Sequence, residues 1–150
     1  MTISTFAAGC FWGVEAKFRQ VNGVISSRVG YTAGSTLHPD YKAVCTGTTG
    51  HAEAIEVTFD PAVISYKALL EVFWKIHNPT TLNSQGPDFG TQYRSAIFYH
   101  SDEQRQQALA SKQALDNSHY YPQPAVTDIT AASEFFPAEE YHQCYLEKKA

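Results

Sequence analysis

The spacing of hydrophobic and polar residues switches period several times along the chain. Ile3, Thr5 and Ala7 alternate with Ser4, Phe6 and Ala8, which predicts a strand over Thr2 to Ala8, ended by Gly9. From Cys10 to Gln20 the period becomes helical, with Phe11, Val14 and Phe18 on one face and Asn22-Gly23 as the stop. Val24 to Thr32 reads as a second strand. Gly30 to Gly50 is rich in Gly, Thr and Ser, with a short helical turn expected around Asp40 to Cys45. Ala52 to Phe59 is the clearest strand: Glu53, Ile55, Val57 and Phe59 share one face, and Ala54, Glu56 and Thr58 the other. Ser65 caps a helix carrying Leu69, Leu70, Phe73, Trp74 and Ile76, which Asn78-Pro79 ends.

A long polar stretch follows, His77 to Gln92, of the kind that in a small domain is functional or mobile. Tyr93 to Tyr99 is apolar on both faces and reads as a central strand. Ser101 with Gln104 forms a capping box for a helix to about Asn117. Ala125 to Ile129 is a candidate short strand. Pro137-Ala138-Glu139-Glu140 opens a last helix, acidic at its start and with Lys148 and Lys149 at its end. Strands and helices alternate in short units, which predicts one sheet covered by helices. The alternation leaves open whether that sheet is parallel, antiparallel or mixed.

Composition narrows the class. The 150 residues, 43% hydrophobic and 17% charged, suit one globular domain spanning 1–150. No apolar run approaches the length of a membrane span. The formal net charge of −4, without a basic run, argues against a nucleic-acid partner. The start, Met1-Thr2-Ile3-Ser4, lacks the basic and apolar regions of a secretory signal. The three cysteines, Cys10, Cys45 and Cys144, are odd in number and widely spaced, with no C-x-x-C pair. A cytoplasmic location and a monomer are the expectations, with no metal and no organic cofactor.

Cys10 stands at a strand-to-helix junction after Gly9, where a helix dipole and free N–H groups favour a thiolate. The competing reading is a small buried hydrophobe, the fate of most free cysteines. Glu53 lies at the end of an apolar strand face. A carboxyl there has a raised pKa and can act as a general acid near neutral pH, unless the strand end leaves it solvated. Tyr41, Tyr93 and Asp88 lie in or beside the two loop regions. A tyrosine hydroxyl can donate to a developing oxyanion, although most of nine tyrosines must be packing residues. Phe11 and Trp12 are either core or the wall of an apolar pocket beside the thiol.

Gly9-Cys10-Phe11-Trp12-Gly13 resembles the signature of the A-class peptide methionine sulfoxide reductases. Tyr41-x-x-Val44-Cys45-x-Gly47-x-Thr49-Gly50-His51-Ala52-Glu53 looks like the second block of that family. Asp88-Phe89-Gly90-Thr91-Gln92-Tyr93-Arg94-Ser95 looks like its third, and Ala138-Glu139-Glu140-Tyr141-His142-Gln143 like its C-terminal block. The blocks stand in the expected order over nearly the whole chain. The resemblance implies an α/β (α+β) two-layer sandwich with a mixed β-sheet and a ferredoxin-like core. It implies reduction of methionine sulfoxide, free or in proteins, at the S epimer, with Cys10 as nucleophile and Glu53 as acid. Tyr41 and Tyr93 would hydrogen-bond the sulfoxide oxygen, Phe11 and Trp12 would hold the S-methyl group, and Asp88 would help organise the site.

The product on the enzyme would be a Cys10 sulfenic acid. Many members of the family carry recycling cysteines in a Gly-rich tail after the last helix, which the stretch from Glu147 to Ala150 does not match. Cys45 reads as a buried structural cysteine. Cys144, expected in the last helix on the face of Tyr141, is the resolving candidate. Three routes stay open: a Cys10–Cys144 disulfide reduced by thioredoxin, attack by glutathione with glutaredoxin, or direct attack by thioredoxin. The rival readings are a Cys–His hydrolase or transferase using His51 or His142 as base, a zinc deaminase through His51-Ala52-Glu53, and a binder of Met-containing peptides.

Overall fold

The computed structural model describes residues 2–35, 37–47 and 49–145. Strand β1 (Thr2–Ala8) is buried on both faces from Ser4 onward, and the reason is its place in the sheet. It lies between two antiparallel neighbours. The chain then runs through α1 (Phe11–Arg19), β2 (Val24–Thr32), the short α2 (Tyr41–Cys45), β3 (Ala52–Phe59) and α3 (Tyr66–Lys75). A two-residue-per-strand hairpin, β4 (Ser84–Gln85) and β5 (Asp88–Phe89), lies within the polar stretch. It is followed by a 3₁₀ turn (Thr91–Tyr93), β6 (Ser95–Tyr99), α4 (Asp102–Ser118), β7 (Asp128–Ala131), β8 (Phe135–Pro137) and a second 3₁₀ turn (Glu140–His142).

The sheet order is β7-β6-β1-β3-β2-β8. Every pairing is antiparallel except β6 with β7, so the sheet is mixed. Within it, β1-α1-β2 is a split crossover with β3 inserted between its strands, and β3-α3-β6 repeats the pattern. That is the ferredoxin-like core. Phe6, Ile55, Val57 and Ile97 pack from one face of the sheet against Phe11, Val14 and Phe18 of α1, and Leu69, Leu70 and Phe73 of α3. The opposite face is lined by Ala7, Ala52, Ala54, Ala96 and Phe98, and is covered by Ala132 and Phe135 rather than by a helix. Small residues let that irregular segment lie close to the sheet.

The caps follow the sequence. Ser65 Oγ accepts from Ala68 N at 3.1 Å, and Ser101 Oγ from Gln104 N at 3.1 Å. Gln104 returns to the amide of His100, not to that of the cap residue, and its Nε2 donates to Ile3 O, which ties α4 to β1.

Four expectations need correction. The strand expected from Tyr93 begins at Ser95, because Thr91–Tyr93 curls into a 3₁₀ turn that carries Tyr93 out of the sheet. The strand expected from Ala125 begins at Asp128, and β8 follows it without having been foreseen. The helix expected from Pro137 does not form over residues 137–144. Pro137 ends β8, a single 3₁₀ turn stops at His142, and Cys144 takes a left-handed φ of 53° that breaks any right-handed helix through it. Tertiary bonding wins over the helix signal there: the Gln143 side chain accepts from Val29 N at 2.8 Å and donates to Val29 O at 2.9 Å, like a strand backbone. Lys148 and Lys149 lie outside the described residues. Cys45 is exposed instead of buried, since α2 turns Val44 inward.

Candidate active site

The end of β1 and the start of α1 place Cys10 at the turn between them. Gly9 makes the turn with φ 99°, and a Cβ there would approach Gln85 Cγ to 2.9 Å. Cys10 follows as the N-cap residue of α1, half-buried and with no disulfide. Burial pushes its thiol above the ordinary value. The backbone N–H groups of Trp12 and Gly13 oppose that shift, and the charges of Glu53 and Asp88 add to it. The helix terminus therefore moderates the thiol but does not make it a resting thiolate, contrary to what its position alone implies.

Glu53 stands across from this turn. It pairs with Tyr31 in the β2–β3 register and is 1% exposed. Its Oε1 accepts from Phe11 N at 3.2 Å, and its Oε2 is buried with no hydrogen-bond partner among the described residues. Burial is the largest influence and raises its pKa to about 7. The Phe11 amide opposes this, and the Asp88 charge adds to it. A carboxyl in that range is a protonated acid for much of the time at neutral pH.

The remaining predicted side chains gather round these two. Tyr93, on its 3₁₀ turn, has its hydroxyl pushed up to about 12 by burial, and then by Glu53, Cys45, Asp88 and Cys10. Tyr41 opens α2, and its ionisation is likewise disfavoured by burial first and by the adjacent Cys45. Both hydroxyls stay protonated donors. Asp88 is half-buried on β5. Phe11 is 1% exposed and packs on Tyr31 and His142 at ring separations of 5.7 and 5.3 Å. Phe11 is therefore core, while Trp12 beside it is half-buried. Trp12 stacks on Tyr145 at 3.8 Å and 13°, and its ring lies 6.4 Å from that of Tyr41.

The C-terminal block closes the site from a direction that the pattern of the chain did not disclose. Glu139 accepts from Tyr31 Oη at 3.1 Å and from the Tyr41 amide at 3.3 Å. The Cys144 amide donates to Glu15 Oε1 at 2.7 Å, and Glu15 is itself 1% exposed on α1. A glutamate on the apolar face of a helix, level with Val14 and Phe18, was the sequence signal for that anchor. Cys144 is half-buried and unbridged.

Neither candidate histidine base has a free lone pair beside the thiol. His51 Nδ1 accepts from Gly34 N at 3.0 Å, and His142 Nδ1 accepts from Trp12 Nε1 at 2.8 Å. In each neutral ring the other nitrogen must then carry the proton. Among the described residues, no group of three or more His, Cys, Asp or Glu side chains could hold a metal ion. No described helix is long and apolar enough to cross a membrane.

The chain matches the family model described as peptide methionine sulfoxide reductase over residues 2–150. It is 60% identical to the peptide methionine sulfoxide reductase MsrA of Methanosarcina mazei over 146 residues, which is 97% of this chain and 69% of that protein. Among solved structures it is similar to Mxr1 from Saccharomyces cerevisiae in reduced form, with TM-score 0.92 and 39% identity, over 98% of this chain and 84% of the other. It is also similar to Mxr1 in complex with Trx2, with TM-score 0.68 and 26% identity, over 96% of this chain and 84% of that one. A family match over nearly the whole length, together with relatives 60% identical over 97% of the chain, means that the chain belongs to the peptide methionine sulfoxide reductase family.

Proposed function

We propose that this chain is a peptide-methionine (S)-S-oxide reductase that repairs oxidised methionine at the expense of an external thiol. The observation that carries this reading is the pairing of Cys10 with Glu53. The thiol feels the charge of a carboxyl whose pKa is about 7, and the amide of the residue after Cys10 is bonded to that carboxyl.

Cys10 sulfur attacks the sulfoxide sulfur. An S=O oxygen is a poor leaving group until protonated, and Glu53 supplies that proton while Tyr41 and Tyr93 donate hydrogen bonds as charge gathers on the oxygen. The S–O bond of the substrate breaks and the oxygen ends on Cys10. The substrate sulfur is reduced by two electrons to the thioether, and the thiol is oxidised by two electrons to the sulfenic acid. The net proton count is unchanged, because the proton lost from the thiol is matched by the one delivered through Glu53. Asp88 adds negative charge beside Glu53 and so helps keep its proton in place. The methyl group lies against Trp12, backed by Phe11. Exchanging oxygen and methyl would bury an unpaired oxygen in hydrocarbon, which sets the epimer.

Recycling proceeds through the sulfenic acid. A second thiol displaces water to form a disulfide, which a dithiol then reduces. Cys144 is the internal candidate, because its amide is tied to Glu15 on the same helix that Cys10 caps. Thioredoxin is the reductant favoured here, by analogy with the Mxr1–Trx2 complex; glutathione with glutaredoxin is the competitor. The occupied lone pairs of His51 and His142 argue against a hydrolase, which needs a base at the nucleophile.

Racemic N-acetylmethionine sulfoxide with excess dithiothreitol tests the reading, each epimer followed by chromatography. Loss of the S epimer alone, absent in Cys10→Ser, is the expected result. Survival of both epimers with the intact protein would refute it.

A further inference from the structure

Trp12 is gripped in two different ways, and they do different work. Tyr145 lies flat on its face at 3.8 Å. A face stack resists tilting but lets an indole slide and turn in its own plane. The second grip is in-plane: Trp12 Nε1 donates to His142 Nδ1 at 2.8 Å. Resting on the reading of Trp12 as the wall of the methyl pocket, we propose that His142 is a positioning residue, its Nδ1 fixing the indole's in-plane orientation and thereby the fit of the substrate.

The imidazole is an expensive way to fill this space. His142 is 1% exposed, ringed by Phe11, Tyr41 and Tyr141 at 5.3, 4.6 and 4.1 Å. The indole N–H can only donate, so Nδ1 is the unprotonated nitrogen and Nε2 carries the proton. That Nε2 is buried without a hydrogen-bond partner among the described residues. A phenyl ring would stack on the same aromatics and leave no orphaned donor. What the imidazole adds is one acceptor, and Trp12 uses it. Burial lowers the pKa of the ring, against an opposing pull from Glu139, which favours the neutral form that can accept. The backbone carrying it is fixed on both sides: Glu139 is bonded to Tyr31 and Tyr41, and Gln143 to Val29.

Two substitutions separate positioning from packing. His142→Phe keeps a ring but removes the acceptor. His142→Asn removes the ring but offers a carbonyl oxygen near the place of Nδ1. The first readout is the pair of indole N–H signals in a proton–nitrogen spectrum without substrate. Trp74, whose Nε1 donates to Ser111 Oγ at 2.7 Å, serves as internal reference. In His142→Phe the Trp12 signal is expected to move upfield and exchange faster, with the Trp74 signal unchanged. The KM for N-acetylmethionine sulfoxide should rise about tenfold, the loss of one neutral hydrogen bond, with a much smaller change in kcat. His142→Asn should restore both in large part. An unmoved Trp12 signal with unchanged KM in His142→Phe overturns the proposal. So does His142→Asn as impaired as His142→Phe, which would make the imidazole a packing residue. The indole signals are read without turnover, so they distinguish failure of this proposal from failure of the reductase reading.

Discussion

Glu53 holds two conflicting requirements in one carboxyl. Its burial makes it an acid near neutrality, and the same burial destabilises the folded chain once the proton is lost. A folded pKa of about 7 lies above the ordinary 4.5. Stability from the retained proton is therefore fully present below pH 4.5 and is lost as pH rises toward 7. At pH 8, Glu53→Gln should be more stable than the parent by about 3 kcal/mol, and the advantage should vanish at pH 4. Thermal unfolding at the two pH values measures this. The same variant should oxidise Cys10 about 10² to 10⁴-fold more slowly in a single turnover. It should also lose the fall in rate that the parent shows as pH rises through 7. Near-parental turnover would remove Glu53 from the acid role. The residue was legible in advance because the Ala52–Phe59 alternation put it on the apolar face. The resting protonation of Cys10 was not legible: the dipole of α1 could be read from position, but the burial that outweighs it depends on Glu53, Asp88 and the packing around them.

At the scale of elements, the two glycines that flank Cys10 and its aromatic pair have different jobs. Gly9 sits at φ 99° against Gln85, whereas Gly13 lies inside α1 with open space where a Cβ would project. Gly9→Ala should cost about 1–3 kcal/mol in urea unfolding and slow Cys10 oxidation, because the turn that aims the thiol must shift. Gly13→Ala should instead stabilise by about 0.5–1 kcal/mol through helix propensity. Equal destabilisation by both would remove the distinction. Helices and strands with a strong period, such as α3 and β3, were readable from the chain alone. The last segment was not. Its acidic start and basic end resemble a helix, but Glu139, Gln143 and the Cys144 amide find partners on β2, α2 and α1, and those bonds outcompete a marginal helix.

For the whole molecule, the segment that closes the site also carries the candidate resolving thiol. The protein exposed to one equivalent of sulfoxide without reductant should yield a Cys10–Cys144 disulfide, detectable by peptide mass. Cys144→Ser should retain dithiothreitol-supported turnover and lose most of its thioredoxin-supported turnover. Accumulation of Cys10 sulfenic acid with no such bond would shift recycling to direct attack by an external thiol. The Cys10–Cys144 disulfide needs the two Cα atoms within about 7 Å of each other, and the Cys144 amide bond to Glu15 ties its backbone to the helix that Cys10 caps.

The strongly periodic strands and helices from β1 to α4, the candidate nucleophile and acid, and the family resemblance were legible in the sequence, because each is written in local periodicity or in a short run of residues; the β4–β5 hairpin, β8 and the non-helical course of residues 137–144 were not. The sheet order, the covering of its second face by Ala132 and Phe135, the neutral tautomer of His142 and the docking of residues 139–145 beside Cys10 and Trp12 were decided only by tertiary structure. Those features join positions far apart in the chain. Trp12 and His142 are 130 residues apart, and no local pattern records which distant donor will meet which acceptor.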